Sequence, residues 1–233
     1  MAVYRLDENL WFPDPRLGEK DGLVAVGGDL SVNRLLLAYS YGFFPWFSFR
    51  FQKEPLWYCP QDRYVIFPKE IHISHSMKQL MRQKKFVVTI NCDFEGVIRN
   101  CSMAGGRIQE EAAWLGLEMM EAYTELHRQG YAASVEVWDV DDASSEKTAR
   151  KLVGGLYGVA IRNAFFGESM FSLMPNASKL ALIHLAQNLE CLGAHFIDCQ
   201  FETPHLNSMG GRHISYEKYM EILNNSPLPT AFL

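Results

Sequence analysis

Short apolar runs of strand length recur along the chain, and segments with helical periodicity separate them. Neighbouring strands joined by short connections, followed by helix, strand and helix, indicate a mixed sheet with helices on its faces. The predicted fold class is therefore α+β. The predicted strands cover 62–67, 86–91, 133–138, 151–161, 164–173 and 195–200.

Capping signals accompany the helical periodicity in three places. The first helix follows "GGDLS", where Ser31 is a suitable N-cap and Gly42 a suitable stop. A long helix is predicted over 110–129 and ends at Gly130, and another begins at "NASK" and ends at Gly193. Shorter helices are predicted over 74–85 and 215–225.

The N-terminal part of the chain differs from the rest in its residue pattern. It contains Trp11, Trp46 and Trp57 together with proline-bearing turns such as "FPDP" and "KEPLW". The alternation of strands and helices begins only after Pro60. We therefore predict a small N-terminal domain over 1–60 and a catalytic domain over 61–233.

Composition places the chain among globular proteins, since 48% of its 233 residues are hydrophobic. The net charge of -5 gives no global indication of nucleic-acid binding, although a local basic patch can still bind RNA. The densest basic cluster lies on and after the helix predicted over 74–85, and it is the natural place for phosphates. This cluster consists of Lys78, Arg82, Lys84 and Lys85.

Targeting signals and common cofactor motifs are not visible. No apolar run approaches the ~20 residues that span a bilayer, and the start of the chain lacks the pattern of a signal peptide. The five cysteines are not spaced as metal ligands. There is no phosphate-binding P-loop, no G-x-G-x-x-G and no G-x-S-x-G. We expect a cytoplasmic protein without a membrane segment, a metal or another cofactor.

The stretch "HFIDCQF" carries two polar side chains within an apolar strand. Side chains alternate across a strand, so Asp198 and Gln200 are expected on the same face. One interpretation is a strand end whose polar pair caps a neighbouring helix or meets solvent. The other is a functional pair, because an ionised carboxylate on a buried strand needs hydrogen-bond donors nearby.

A second carboxylate lies among phenylalanines in "FFGESMFS". Alternation predicts that Glu168, Met170 and Ser172 share one face of their strand. We expect Glu168 to meet a cation, which either is an internal arginine or belongs to a ligand. In "FFPWFS", Trp46 is either a core residue or, if exposed, a platform on which a base stacks.

Several of these segments together resemble one family. In chain order they are "GLVAVGGDLSVNRLLLAYSYGFFPWFS", "LWYCP", "SVEVW", "LVGGLYGVA", "FGESMFS", "NASKLAL" and "IDCQ". From about Gly22 to Tyr219 they resemble the bacterial leucyl/phenylalanyl-tRNA–protein transferases. The resemblance implies a small N-terminal domain followed by a domain like the GCN5-related N-acetyltransferases. It also implies transfer of Leu or Phe, with Met as a further candidate, from aminoacyl-tRNA to an N-terminal Arg or Lys, which marks the acceptor protein for degradation by the N-end rule pathway.

The same resemblance implies roles for particular residues. Asp198 and Gln200 match a "DCQ" pair implicated in catalysis, and Glu168 matches a position near the acceptor. Residues that would hold the aminoacyl group and the terminal adenosine of the tRNA are Trp46, Trp114, Met170, Leu182, Leu185, Leu189 and Ile197. Leu185 and Leu189 replace expected phenylalanines, which keeps the pocket apolar but leaves its preference between Leu and Phe open.

The implied reaction is aminolysis of an ester by an α-amine. We hypothesise that Asp198 orients Gln200, whose carbonyl oxygen accepts a hydrogen bond from the attacking amine. Either Asp198 or the terminal hydroxyl of the tRNA could take the proton. The expected partners are aminoacyl-tRNA and proteins or peptides with an N-terminal Arg or Lys, bound by a monomer.

Two other functions stay open, a related acyltransferase and a transferase with a different acceptor, and a non-enzymatic module is the least supported. An acyltransferase of the same fold that uses acyl-CoA is not supported, because no glycine-rich phosphate loop precedes "MPNASK". A transferase for acidic N-termini is disfavoured by the charge of Glu168, provided that Glu168 faces the acceptor. A non-enzymatic RNA-binding module would leave Asp198, Gln200 and Glu168 unexplained.

Overall fold

Two β-sheets form the framework of the described part of the protein. The structure, a computed structural model, describes residues 3–46, 54–103, 115–140 and 150–225. Within this part of the chain, the first sheet has the strand order β1-β2-β4-β3, with β1 and β2 parallel and the other pairs antiparallel. Its strands are β1 (Tyr4–Leu6), β2 (Leu23–Gly27), β3 (Phe44–Trp46) and β4 (Leu56–Tyr58).

Helix α1 (Val32–Ser40) connects β2 to β3 and has the predicted ends. The side-chain oxygen of Ser31 accepts a hydrogen bond from the backbone N–H of Arg34, which satisfies one of the free donors in the first turn. Gly42 follows the last turn with φ at 81°, a left-handed conformation that glycine adopts without a steric penalty. The predicted first helix is therefore confirmed.

The second sheet is mixed and has the order β11-β5-β10-β9-β8-β7-β6. Of its pairs in the described residues, only β9 and β10 run parallel. The predicted α+β class with a mixed sheet is confirmed. The strands are β5 (Asp62–Ile66), β6 (Phe86–Ile90), β7 (Ala132–Asp139), β8 (Lys151–Ile161), β9 (Ala164–Ser172), β10 (Phe196–Asp198) and β11 (Arg212–Ser215).

Helices cover both faces of this sheet. Their bounds are α2 (His75–Gln83), α3 (Phe94–Met103), α4 (Leu117–Arg128), α5 (Ala177–Cys191), α6 (Pro204–Asn207) and α7 (Tyr216–Asn224). One apolar cluster joins α3, α4 and α7 to one face, and a second joins α2 and α5 to the other. In the described ranges, no helix combines the length and the apolar character needed to cross a membrane.

One prediction about these elements is wrong, and one helix was not predicted. The strand predicted over 195–200 ends at Asp198, because Gln200 has a left-handed φ of 59° that cannot continue a strand. Helix α3 was not expected from the pattern, since Gly96 interrupts its apolar periodicity. It begins where the carboxylate of Asp93 accepts the backbone N–H of Gly96, a cap that favours helix formation. Positions 110–114 of the helix predicted over 110–129 lie outside the described residues.

The first 60 residues share a hydrophobic core with the remainder of the chain. Tyr39 and Trp57 belong to the same buried cluster as Phe166, Phe196 and Tyr219. The chain passes from the first sheet to the second between β4 and β5. A division into 1–60 and 61–233 stays a prediction, and the shared core couples the stability of the two parts.

A β-bulge interrupts the pairing of β8 with β9. Tyr157 is opposite Ser169, whereas the next residue, Gly158, is opposite Gly167. Glu168 is therefore the extra residue of β9 and has no partner on β8. A side chain at Gly158 would place its Cβ 2.1 Å from the carbonyl oxygen of Phe166, so the close approach at the bulge requires glycine.

We predict that Gly158→Ala lowers the free energy of unfolding by about 1–3 kcal/mol, because the added methyl group collides with backbone that cannot move aside. Gly167→Ala is the matched control on the opposite strand, since a Cβ there has its nearest neighbour at 3.5 Å. Urea unfolding of both variants measures the difference. Equal stability of the two variants would contradict the steric role assigned to Gly158.

Candidate active site

Two adjoining cavities meet at Glu168 and Gln200. The larger, about 570 Å³, lies between β9 and α5 and is lined largely by apolar side chains. The smaller, about 150 Å³, is lined by aromatic residues of β3 and by Phe201. Glu168 and Gln200 line both cavities, so a carboxylate and an amide stand where the two spaces come together.

Asp198 lies beneath this junction, fully buried, in an ion pair with the equally buried Arg63. Strand β5, which carries Arg63, is the antiparallel neighbour of β10. The carboxylate also accepts the hydroxyl of Tyr219 at 2.9 Å and the backbone N–H of Gln200 at 2.9 Å. A buried carboxylate of this kind is stabilised only when such donors surround it.

Arg63 connects this ion pair to the N-terminal part of the chain. One of its nitrogens donates to the carbonyl oxygen of Gly42 at 2.7 Å. Its guanidinium carbon lies 4.7 Å from the centre of the Tyr219 ring and 5.4 Å from that of Phe44. Burial by itself would lower the pKa of Arg63, but the adjacent Asp198 carboxylate raises that pKa above the ordinary value. Arg63 therefore remains charged although it is buried.

Gln200 is oriented through its backbone as well as its side chain. The carboxylate of Asp198 accepts the backbone N–H of Gln200, which holds the left-handed turn after β10. The side-chain nitrogen of Gln200 donates to Glu168 Oε1 at 3.5 Å. That orientation leaves the amide oxygen of Gln200 available to a ligand in either cavity. Asp198 and Gln200 do not share a strand face as predicted, because the strand ends at Asp198. The predicted interaction between the two residues is present as the hydrogen bond from the backbone N–H of Gln200 to the Asp198 carboxylate.

Within the described residues, Glu168 is held by tyrosine hydroxyls and not by an arginine. Tyr39 donates to Oε1 and Tyr123 to Oε2, each at 2.8 Å. The two hydroxyl oxygens are themselves 2.5 Å apart. Burial raises the pKa of Glu168 to about 7, although the hydroxyl donors Tyr123 and Tyr39 act in the opposite direction. Arg63, the internal candidate for a cation, pairs with Asp198 instead.

The bulge also corrects the predicted neighbours of Glu168. Alternation resumes out of phase after it, and Met170 packs against the cluster that contains α5. Glu168 instead meets the hydroxyls of Tyr39 and Tyr123, which belong to the opposite cluster. Glu168 and Met170 therefore do not share a strand face, because the extra residue shifts the phase of the strand.

The residues predicted for the aminoacyl group and the adenosine fall into three sets. Those lining the larger cavity are Met170, Leu182, Leu185 and Ile197. Trp46 lines the smaller cavity and is 39% exposed, so it is not a core residue. Leu189 is fully buried farther along α5 and is not part of the cavity wall, because the helix has passed the end of the cavity. Trp114 lies outside the described residues.

The predicted phosphate-binding residues lie on and directly after α2. Lys78, Arg82 and Lys84 are exposed, whereas Lys85 is half-buried with its ammonium 5.9 Å from the centre of the Phe86 ring. Helix α2 packs on the same face of the sheet as α5. The basic cluster is therefore on the side of the sheet that contains the larger cavity.

Four residues that shape the site were not identified from the sequence. Tyr39 and Tyr123 occupy apolar stripes of helices, where they are indistinguishable from packing residues. Tyr219 lies in a helix without any other signal. Arg63 offered one indication, because a charge inside the strand "DRYVIF" requires a buried partner.

Two cavities that meet at a carboxylate and an amide are the arrangement expected of a transferase, an enzyme that brings two substrates together. The family described as "Leucyl/phenylalanyl-tRNA protein transferase" matches residues 65–224, and its N-terminal domain matches residues 28–61. The chain belongs to this family, and it is an aminoacyltransferase.

Curated relatives match nearly the whole chain and are named leucyl/phenylalanyl-tRNA–protein transferases. The relative from Syntrophobacter fumaroxidans is 47% identical over 224 residues, which are 96% of this chain and 90% of the relative. The relative from Syntrophus aciditrophicus is 47% identical over 227 residues, or 97% and 90% of the two chains. The one from Pseudomonas fluorescens is 45% identical over 226 residues, or 96% and 94%.

We predict that Asp198→Asn and Arg63→Met each lower the free energy of unfolding by about 3–5 kcal/mol, because each change leaves a buried group without its partner. The double variant should lose less than the sum of the two single changes, since no unpaired charge remains. Urea unfolding of the four proteins completes the cycle. Strictly additive losses would show that the two side chains do not stabilise one another.

Proposed function

We propose that this protein transfers Leu or Phe, with Met as a further candidate, from aminoacyl-tRNA to the N-terminal Arg or Lys of acceptor proteins. The product has a new peptide bond and a new N-terminal residue that marks it for degradation. The observation that carries the proposal is the meeting of the two cavities at Glu168 and Gln200. Aminolysis of an ester is favourable by itself, so the reaction requires neither ATP nor a bound cofactor.

The larger cavity is suited to the aminoacyl side chain. Met170, Leu182, Leu185 and Ile197 offer it an apolar wall, which disfavours polar amino acids because their hydrogen bonds would be lost. Discrimination between aliphatic side chains is weaker, since one methylene is worth only about 1–3 kcal/mol in an apolar pocket. This weakness is the reason for including Met among the candidate donors.

The smaller cavity is suited to the terminal adenosine of the tRNA. Trp46 packs against Tyr58 and Phe201, with ring centres 5.4 and 5.5 Å away, and is exposed in part. An aromatic ring supported in this way is a stacking platform for a base, worth about 1–3 kcal/mol. We assign Trp114 to the same adenosine on the basis of the family resemblance alone.

Catalysis is assigned mainly to positioning. A free α-amine has a pKa of about 7.7–8.0, so a usable neutral fraction exists near pH 7. Gln200 would accept a hydrogen bond from the amine through its side-chain oxygen and aim it at the ester, while Asp198 fixes the backbone of Gln200. Glu168 supplies negative charge where the basic acceptor arrives. The donor aminoacyl-tRNA is a cytoplasmic molecule, which supports a cytoplasmic location for the reaction.

We predict that the purified protein, given Leu-charged tRNA without ATP or CoA, adds one leucine to a peptide that begins with Arg. Mass spectrometry measures the shift. A peptide that begins with Glu should remain unchanged. Addition only to the Glu peptide would overturn the acceptor assignment, and no addition with intact charged tRNA would overturn the proposed function and favour acyl-CoA as the donor.

The same assay tests the assigned amide. Gln200→Ala should lower turnover by about 100-fold or more, the range expected for a mispositioned reactant. Gln129→Ala, which removes an exposed amide at the end of α4, is the matched control and should keep full activity. Full activity of both variants would remove Gln200 from catalysis.

We propose that Lys78, Arg82, Lys84 and Lys85 contact tRNA phosphates. If they do, each substitution by Gln should reduce the slope of log K against log salt concentration by about 0.7–0.9, because one fewer counterion is released. Filter binding at several salt concentrations measures the slope. Lys20→Gln and Lys218→Gln change exposed lysines elsewhere and are the controls. A slope unaffected by all four changes would place the tRNA on another surface.

A further inference from the structure

The carboxylate of Glu168 and the hydroxyls of Tyr39 and Tyr123 form a closed ring of oxygen contacts, and the ring has fewer hydroxyl protons than contacts. Three oxygen–oxygen contacts close it, two between the carboxylate and the tyrosines and one between the tyrosines themselves. Tyr39 and Tyr123 together have two hydroxyl protons, and each neutral hydroxyl can donate one hydrogen bond. With Glu168 ionised, one of the three contacts therefore has no proton between its oxygens. With Glu168 protonated, all three contacts become hydrogen bonds.

We propose that Glu168, within this ring of Tyr39 and Tyr123, is the group that takes the proton from the α-ammonium of the acceptor. The proposal rests on the proposed function and deepens it, because it assigns Glu168 a chemical step besides attraction of a basic side chain. Glu168 is the catalytic residue in this step. Tyr39 and Tyr123 are positioning residues that act through it.

Asp198 is the less suitable acceptor because its oxygens are already occupied. Arg63 and Tyr219 donate to one oxygen, and the backbone N–H of Gln200 donates to the other. The side chain is fully buried and lines neither cavity. Glu168 lines both cavities, so a substrate can reach it. Its contacts among the described residues are with neutral donors, so no cation in this part of the chain neutralises its charge by direct contact.

The proton balance of the reaction is complete with this assignment. The ammonium loses one proton to the Glu168 carboxylate, and the resulting amine attacks the ester carbon and forms the C–N bond. The bond between that carbon and the ribose oxygen breaks as the second nitrogen proton passes to this oxygen. Glu168 then releases its proton to water. The net products are a peptide, an uncharged tRNA and one proton.

The surroundings match the proton affinity of Glu168 to that of its substrate. The pKa of this carboxyl is raised to about 7, mainly by burial. Asp198 also raises the pKa, whereas the hydroxyls of Tyr123 and Tyr39 and the guanidinium of Arg63 lower it. These are the titratable groups that act on it from α4, α1, β10 and β5. A free α-amine has a pKa of about 7.7–8.0, so the transfer is close to thermoneutral and the carboxylate can be regenerated at neutral pH.

The decisive experiment compares two nucleophiles on the same acceptor sequence. One peptide begins with Arg, and the other with an α-hydrazino analogue of Arg, which keeps the side chain but is already neutral at pH 7. Glu168→Gln should lower kcat/KM for the amine peptide by about 100-fold or more, the usual contribution of a general base. For the hydrazine peptide it should change kcat/KM by only a few-fold.

The outcomes separate the two roles of Glu168. Equal losses with both peptides would overturn the proton-transfer proposal and leave Glu168 as a binding group for the basic side chain. Absence of transfer by the wild-type protein would contradict the proposed function itself. Circular dichroism of Glu168→Gln establishes that the variant is folded before the rates are compared.

The ring is tested through the pH dependence of wild type and two variants. Removal of a hydroxyl in Tyr39→Phe or Tyr123→Phe takes one donor from the ionised carboxylate and also removes the contact that gains a proton in the neutral form, so the balance between the two forms changes and the acidic limb of kcat/KM moves along the pH axis. Tyr216→Phe is the matched control, because its hydroxyl bonds only to the carbonyl of Tyr41 among the contacts described. An acidic limb that does not move in either ring variant would overturn the positioning role.

Discussion

The buried ion pair between Arg63 and Asp198 is the interaction on which the rest of the site depends. It stands where β5 meets β10, and Arg63 extends it to the carbonyl of Gly42 in the N-terminal part. Asp198 extends it to the backbone of Gln200. A charge pair excluded from water has a large desolvation cost, and it is tolerated when its remaining hydrogen-bonding capacity is satisfied. Here one of those hydrogen bonds, from the backbone N–H of Gln200 to Asp198, also fixes the turn that places Gln200 at both cavities.

A second constraint is steric and comes from the glycine at the bulge. The backbone of β9 approaches Gly158 so closely that any side chain would collide with the carbonyl of Phe166. The extra residue that results is Glu168, which keeps the side of the sheet that faces Tyr39 and Tyr123, while the residues after it change phase and Met170 packs on the opposite face. The bulge therefore converts a residue of an ordinary strand into one that is unpaired on the backbone and available at a cavity wall.

Regular elements followed from the sequence far more readily than the site did. Helix α1 and the strands β7 to β9 could be predicted from hydrophobic periodicity and capping residues, and the α+β class follows from the order of these elements. Glu168, Asp198 and Gln200 could be singled out because carboxylates and amides are rare among apolar residues. Their partners could not, since Arg63 and Tyr39 are distant in sequence and pair only when the sheets pack. The bulge reverses a strand face without leaving any signal in the alternation.

The two carboxylates at this junction differ in environment, and that difference separates their tasks. Asp198 is paired with Arg63 and accepts hydrogen bonds at both oxygens, so it serves as a fixed structural group. The described contacts of Glu168 are with neutral donors, and burial brings its pKa to about 7, so it can exchange a proton near neutral pH. Enzymes that use paired acids often divide work in this way, because environment rather than residue type sets each pKa. The proximity of the anion Asp198 further favours the neutral form of Glu168, so the structural carboxylate helps to tune the reactive one.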